Sequence, residues 1–164
     1  MTVIIRARTD ADMPACVTAL RQVHELDGYP AVWPQDAAAW LTPPKLIEAC
    51  VAEVDGLVVG QVGIGDSRIP TAVQDRLPST ALVSAIRLYV APASRRNGVG
   101  YQLLGAAVTM AEARGMKAVL DVEIGGTAAI ALFERAGWTR AHTGPGSWIT
   151  PDGRRARLHH YLSP

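Results

Sequence analysis

Residues 81–123 narrow the folds open to this chain more than any other stretch. A β-rich run, "ALVSAIRLYV", passes through "APASRRN" to two closely spaced glycines, Gly98 and Gly100. From there Val99, Leu103, Ala106 and Met110 recur at steps of four, three and four, one stripe of an amphipathic helix. Gly115 supplies a stop, and "KAVLDVEI" returns to strand composition. Strands joined through such a helix need a sheet with a crossover helix packed on its face.

The flanks extend the pattern. "TVIIRART" reads as a strand and "DMPACVTALRQVHELDG" as a helix, with Asp12 as its cap, Pro14 in its first turn and Gly28 at its stop. Residues 29–45 hold four prolines around one short helical piece, "QDAAAWL". "EACVAEVDGLVVGQVGIGD" is a hairpin hinged at Asp55-Gly56, a pair suited to a type I′ turn, and residues 66–80 form a loop. "TAAIALFERA" is a helix closed by Gly137, and "GWTRAHT" and "ARLHHYL" are strands flanking the turn-rich "GPGSWITPDG". The expected order is strand, helix or helices, three strands, helix, strand, helix, two strands: a mixed sheet packed by helices. At 164 residues, the chain is expected to form one domain, residues 1–164, around one core.

A net charge of +1, with no basic run longer than the Arg154-Arg155 pair, gives no footprint for nucleic acid, and "GRRAR" reads as a solvated turn. Cys16 and Cys50 lie far apart and outside any ligand spacing, so neither a disulfide framework nor a metal site is expected; both read as small buried hydrophobes. No apolar run approaches the roughly 18 residues of a membrane span, and the first residues lack the apolar core of a signal peptide. A soluble, cytoplasmic protein without a membrane partner is the expectation.

A strand turning straight into a helix leaves the first amides of that helix without backbone acceptors. An anion there gains about 0.3–1 kcal/mol from the helix dipole, and up to ~2 kcal/mol when partly buried. Gly98 and Gly100 remove side chains that would hold a phosphate away, and Arg95 and Arg96 can add charge-assisted bonds. Two phosphate motifs fail: a dinucleotide fingerprint needs glycine where Leu103 stands, and a P-loop needs Lys-Ser or Lys-Thr where Ala106-Ala107 stand. A tight turn with two surface arginines is the plainer reading of the loop alone.

The wider context changes that reading. "RRNGVG" after "IRLYVAP" resembles the R/Q-x-x-G-x-G/A signature of the GNAT superfamily of acetyl-CoA-dependent N-acetyltransferases, with Arg95, Gly98 and Gly100 in its positions. "LDVEIGGTAAIALFERAGW" resembles the family's later block, with Leu120, Val122, Ala129, Ile130, Leu132, Glu134 and Gly137 in register. The resemblance covers residues 86–138 well and the hairpin loosely. It implies an α/β (α+β) fold: a single mixed, mostly antiparallel sheet with helices on both faces, whose parallel strands near 85–90 and 117–123 splay apart. It further implies acetyl-CoA as cosubstrate and no metal. The pantetheine arm would lie along Leu88, Tyr89 and Val90, and the pyrophosphate on the amides of Arg95, Arg96, Asn97, Gly98, Val99, Gly100 and Tyr101.

Acetyl transfer to an amine requires a neutral nitrogen. For a lysine-like acceptor this costs about 4 kcal/mol at neutral pH, roughly three units at about 1.36 kcal/mol each, so a base is expected, and an acid for the thiolate. In one subgroup of the family a carboxylate in the L-x-V segment is the base and the tyrosine of L-Y-E the acid. Here these positions hold Asp121 and Phe133, which has no proton to give; Gly126 replaces a cofactor-contacting asparagine, and Ser84 stands where other members carry a glutamate. Asp121 is the leading base, then Glu123 and His24, against the plainer reading of each as a structural group; Tyr89 or Tyr161 is available as a substitute acid.

Tyr29, Trp33 and Trp40, near Glu25 and Asp27, suit either a cation or core packing, with packing favoured. His159 and His160 must point to opposite faces of the last strand. The resemblance therefore implies an enzyme acting on a small-molecule or peptide amine, as a possible homodimer. A noncatalytic acyl-CoA-binding module of the same fold is the alternative.

Overall fold

A computed structural model describes residues 2–164. Seven strands, β1 (Val3–Ala7), β2 (Leu46–Val54), β3 (Leu57–Gly65), β4 (Ala81–Val90), β5 (Met116–Glu123), β6 (Thr139–Ile149) and β7 (Arg155–Leu162), form one sheet in the order β1-β2-β3-β4-β5-β7-β6. Every neighbouring pair is antiparallel except β4–β5. The helices are α1 (Met13–Asp27), α2 (Ala37–Leu41), α3 (Thr71–Gln74), α4 (Val99–Glu112) and α5 (Thr127–Arg135).

Local sequence accounts for most boundaries. The β2–β3 turn takes φ +51 at Asp55 and +77 at Gly56, the left-handed pair that a type I′ turn needs. Asp36 caps α2 by accepting from the Ala39 amide at 3.0 Å. Gly28, Gly115 and Gly137, read as helix stops, all take positive φ.

Three readings need correction. Asp12 sits at the N-cap of α1 but its carboxylate does not cap it; it accepts from the Thr9 amide at 2.7 Å and pairs with Arg6. The loop at 66–80 contains α3, where Val73, fully buried, joins Val119 and Ala141 in a small second core. β6 runs on through Gly144–Trp148, so much of the stretch read as a turn is strand paired to β7.

The helices lie on both faces, as expected. A Cβ at Gly60 would meet Leu103 of α4, whereas the side chain of the next residue, Gln61, meets Arg8 and faces the end of α2. α1 and α2 thus cover one face of the sheet and α4 the other. The main core joins Leu20, Val51, Val62, Leu103, Leu104 and Tyr161, all at 0% exposure.

Candidate active site

The site begins where β4 and β5 part. The two strands pair only from Ala81↔Met116 to Ser84↔Val119. Beyond this, β4 stays with β3 and β5 stays with β7. β4 is bent away by a bulge: Gly63 pairs with Ile86 and Gln61 with Tyr89, so Arg87 and Leu88 together stand opposite Val62. Arg87 takes φ +56, a left-handed conformation that a non-glycine residue holds only when its surroundings fix it. The Gln61 side chain does this, donating to the Arg87 carbonyl at 2.9 Å while accepting from Arg8 Nη1 at 2.7 Å. The backbone edge of Leu88, Tyr89 and Val90 therefore faces the split.

At the mouth lies the loop into α4. Among the described residues, no backbone acceptor serves the amides of Arg96, Asn97, Gly98, Val99, Gly100 or Tyr101; the first helical bond runs from Gln102 to the Gly98 carbonyl at 3.0 Å. Gly98 caps the helix at φ +78, and a Cβ there would point into open space. Its absence permits the backbone turn and leaves the approach to the amides clear. Gly100 has a different role: a Cβ there would meet Leu132 Cδ2 at 3.0 Å, so this glycine lets α4 and α5 approach. The Arg95 amide bonds the Pro92 carbonyl, and its guanidinium joins Asp27 at the end of α1 and the Val90 carbonyl. Arg96 and Asn97 are exposed. The free amides and the open glycine fit a diphosphate.

The two carboxylates expected as bases sit differently. Asp121 pairs with His160 across β5–β7 and shares the face of Val119, toward α3. Solvent reaches it, yet the surrounding protein raises its pKa by desolvation, against a smaller opposing effect of His160. Glu123 instead accepts from the Gly125 amide at 2.6 Å and pairs with Arg154 at 3.0 Å. The Gly125 hydrogen bond, then Arg154, holds its carboxyl below the usual range, which weakens it as a base. His24 uses Nδ1 against the Pro30 carbonyl at 2.7 Å.

Neither substitute acid is free. Tyr89 is buried and its hydroxyl donates to the Cys16 carbonyl at 2.8 Å. Tyr161 is fully buried, donates to Glu134 Oε1 at 3.3 Å and lies edge-on to Phe133 at 5.9 Å. Burial pushes both phenols up. Gly126 opens α5, where a Cβ would meet Val122 Cγ2 at 3.0 Å and the Glu123 carbonyl at 3.2 Å; the turn is too tight for an asparagine without a shift. Ser84 is buried at the last paired step of β4–β5.

Trp33 and Trp40 pack against the core, as favoured above, and each already carries an arginine on its face: Arg21 at 4.0 Å and Arg87 at 3.8 Å. Tyr29 stands edge-on to Trp40 at 5.9 Å, and its hydroxyl, crowded by protein, is pushed up to about 12, with Arg87 and Asp121 both near enough to act on it. Arg87 escaped the sequence reading of the site, and His160 entered it only as one of two histidines on opposite faces of the last strand. His160 is buried with an unpartnered Nδ1, and desolvation lowers its pKa. Arg87 had a signal: it is the lone charge in an otherwise uncharged strand run, "ALVSAIRLYV".

Fold and site together define an open α/β sheet whose splayed parallel pair ends at a helix N-terminus with free amides. The model of the Acetyltransferase (GNAT) family matches residues 15–138, and the chain belongs to that family. Solved structures agree in fold. The ribosomal-protein-S18-alanine N-acetyltransferase of Escherichia coli is 20% identical with a TM-score of 0.73, over 99% of this chain and 94% of that one. An N-acetyltransferase of Staphylococcus aureus Mu50 is 22% identical, TM-score 0.75, over 99% and 98%. The acetyltransferase yncA of Salmonella typhimurium, solved with acetyl-CoA, is 24% identical, TM-score 0.74, over 99% and 93%. No curated protein matches the chain. No helix among the described residues is long and apolar enough to cross a membrane.

Proposed function

We propose that the chain is an N-acetyltransferase that uses acetyl-CoA and acts on a primary amine by direct transfer, with no covalent enzyme intermediate. The observation that carries this is the coincidence of a split strand pair with a row of acceptorless amides at its mouth. Acetyl-CoA supplies the activated acyl carbon and a thiolate as leaving group. The amides of residues 96–101 would hold its diphosphate, and the free edge of Leu88, Tyr89 and Val90 would align its amide-bearing arm.

Asp121 is the base in this reading. It stands on β5 beyond the last paired step with β4, it makes no ion pair among the described residues, and its raised pKa brings it nearer to a useful range for taking a proton from an ammonium. The C–N bond forms as the C–S bond breaks, and the proton leaves the nitrogen toward Asp121. Glu123 holds the turn before α5, and Phe133 is buried edge-on against Tyr161. The hydroxyls of Tyr89 and Tyr161 are both engaged within the fold, so in this reading the thiolate takes its proton from water. Cys16 and Cys50 serve no nucleophilic role here; burial raises both thiols.

Incubation of the chain with acetyl-CoA and a panel of amines, followed by free-thiol release and product mass, tests this. Amine-dependent release with an acetylated product is expected. Tight coenzyme A binding with no release across a broad panel would instead make the chain an acyl-CoA-binding module.

A further inference from the structure

We propose that Arg87 anchors a carboxylate on the acceptor, so that the amine substrate is an amino acid or another small amine bearing a carboxylate. This rests on the acetyl-transfer reading above. It starts from a charge without a counter-charge: among the described residues, no carboxylate lies within ion-pair distance of Arg87, whereas Arg6, Arg95, Arg114 and Arg154 each have at least one.

The guanidinium is nevertheless held firmly. Its Nε donates to the Trp40 carbonyl at 3.1 Å, and its plane centre lies 3.8 Å from the centre of the Trp40 ring. The bulge beneath it is fixed through Gln61 and Arg8, and Arg8 also donates to the Leu41 carbonyl at 2.9 Å and to Thr42 Oγ1 at 2.8 Å. Strand β4 and the end of α2 are thereby clamped together around one side chain. Both Nη groups remain without a protein acceptor among the described residues. Surrounding protein desolvates the guanidinium, which strengthens its attraction for an incoming anion.

A stacked guanidinium with Nε occupied and its terminal nitrogens free presents a planar fork, the complement of a carboxylate. It opens beside a depression of about 360 Å³ whose lining includes Pro43, Pro44, Lys45 and Ile86. The other cation there, Lys45, is exposed and faces Asp66 at 4.0 Å, so the site offers one uncompensated positive charge and suits a singly charged anion. Asp121, the base in the acetyl-transfer reading, supplies the opposite charge. Asp121 and Arg87 both lie within electrostatic range of the Tyr29 hydroxyl, which stays protonated and can donate. A small zwitterion would place its ammonium at Asp121 and its carboxylate at Arg87, with Tyr29 between them.

The experiment follows acetyl-CoA-dependent thiol release by the full chain with the common amino acids. Each one that responds is compared with its carboxamide and its decarboxylated amine. Loss of the carboxylate is expected to lower kcat/KM by about 100-fold or more, because it leaves a desolvated guanidinium unpaired. Arg87→Gln is expected to flatten that preference, mainly through a raised KM for the amino acid. Arg87→Lys keeps the charge but not the fork, and is expected to recover only part of the preference. Equal turnover of acids, amides and decarboxylated amines would overturn this proposal and leave the transferase reading standing. No thiol release with any amine, despite acetyl-CoA binding, would overturn both. If Arg87→Gln does not fold, the wild-type comparison and Arg87→Lys still decide.

Discussion

In the corner where β1 meets α1, Arg6 gives its Nη groups to the two oxygens of Asp12 at 2.7 and 2.8 Å and its Nε to Glu53 at 2.9 Å, while Asp12 also accepts from Thr9. Arg87 and Asp121, by contrast, make no such bond to any charged group among the described residues. The pKa of Asp12 is driven far down by its Arg6 hydrogen bonds; that of Asp121 is driven up by desolvation. The two regions use the same side-chain types to different ends. A charge matched inside the fold holds the fold, and a charge left unmatched in a concavity is available to a ligand.

The comparison breaks most sharply at Asp121. Asp121→Asn is expected to lower kcat about 100-fold or more near neutral pH, the usual contribution of a general base, with little change in melting temperature. The sign with pH follows from the raised pKa: the base works only when ionised, so wild-type activity climbs as pH rises through it. At alkaline pH the amine is increasingly neutral by itself, and the deficit of the variant shrinks. A constant ratio of rates from acid to alkaline pH would clear Asp121 of the role.

Gly98 comes next. Gly98→Val forces a β-branched residue to φ +78, so the loop must give up its conformation or bear strain. Coenzyme A affinity is expected to fall about tenfold, the effect of roughly 1–2 kcal/mol, read by titration calorimetry. Unchanged affinity would remove the amides of 96–101 from the diphosphate site.

Asp12→Asn sharpens the other side. It is expected to lower the melting temperature without touching turnover, by about 2–4 °C for each kcal/mol lost in a chain of this size. The folded pKa of Asp12 lies below its ordinary value of 3.8, so its stabilisation is full above that pH and is lost as pH falls through the folded value. The gap between wild type and variant should therefore close in acid. A gap that persists at low pH would show that the pair contributes through shape rather than charge.

The difference between the regions also explains what could be read from sequence. Asp55-Gly56, Gly28 and the stripe from Val99 to Met110 act locally, and each lies where its chemistry placed it. Asp12 looked like a cap because its neighbours suit one; Arg6, six residues back, claims its carboxylate through the β1–α1 corner. Arg87 depends on a bulge set by the register of β3 against β4, and His160 meets Asp121 only through the pairing of β5 with β7. Neither register is written in a local spacing. Gly100 was assigned to the phosphate with Gly98, whereas the contact that explains it, Leu132, lies on another helix.

Tyr89 tests the smallest effect and the finest point of chemistry. It sits in the stretch of β4 assigned to the cofactor arm, and a hydroxyl there suggests an acid for the leaving thiolate. Its side chain turns toward α1, where it is buried and its proton lies against the Cys16 carbonyl. Tyr89→Phe removes one neutral hydrogen bond and leaves the carbonyl wanting a partner, so stability should drop by about 1 kcal/mol, read by chemical denaturation. Turnover should be unchanged at every pH, because in the proposed mechanism water protonates the thiolate. A fall in kcat beyond what the stability loss explains would place the Tyr89 proton in the reaction and require the hydroxyl to swing from Cys16 toward the split.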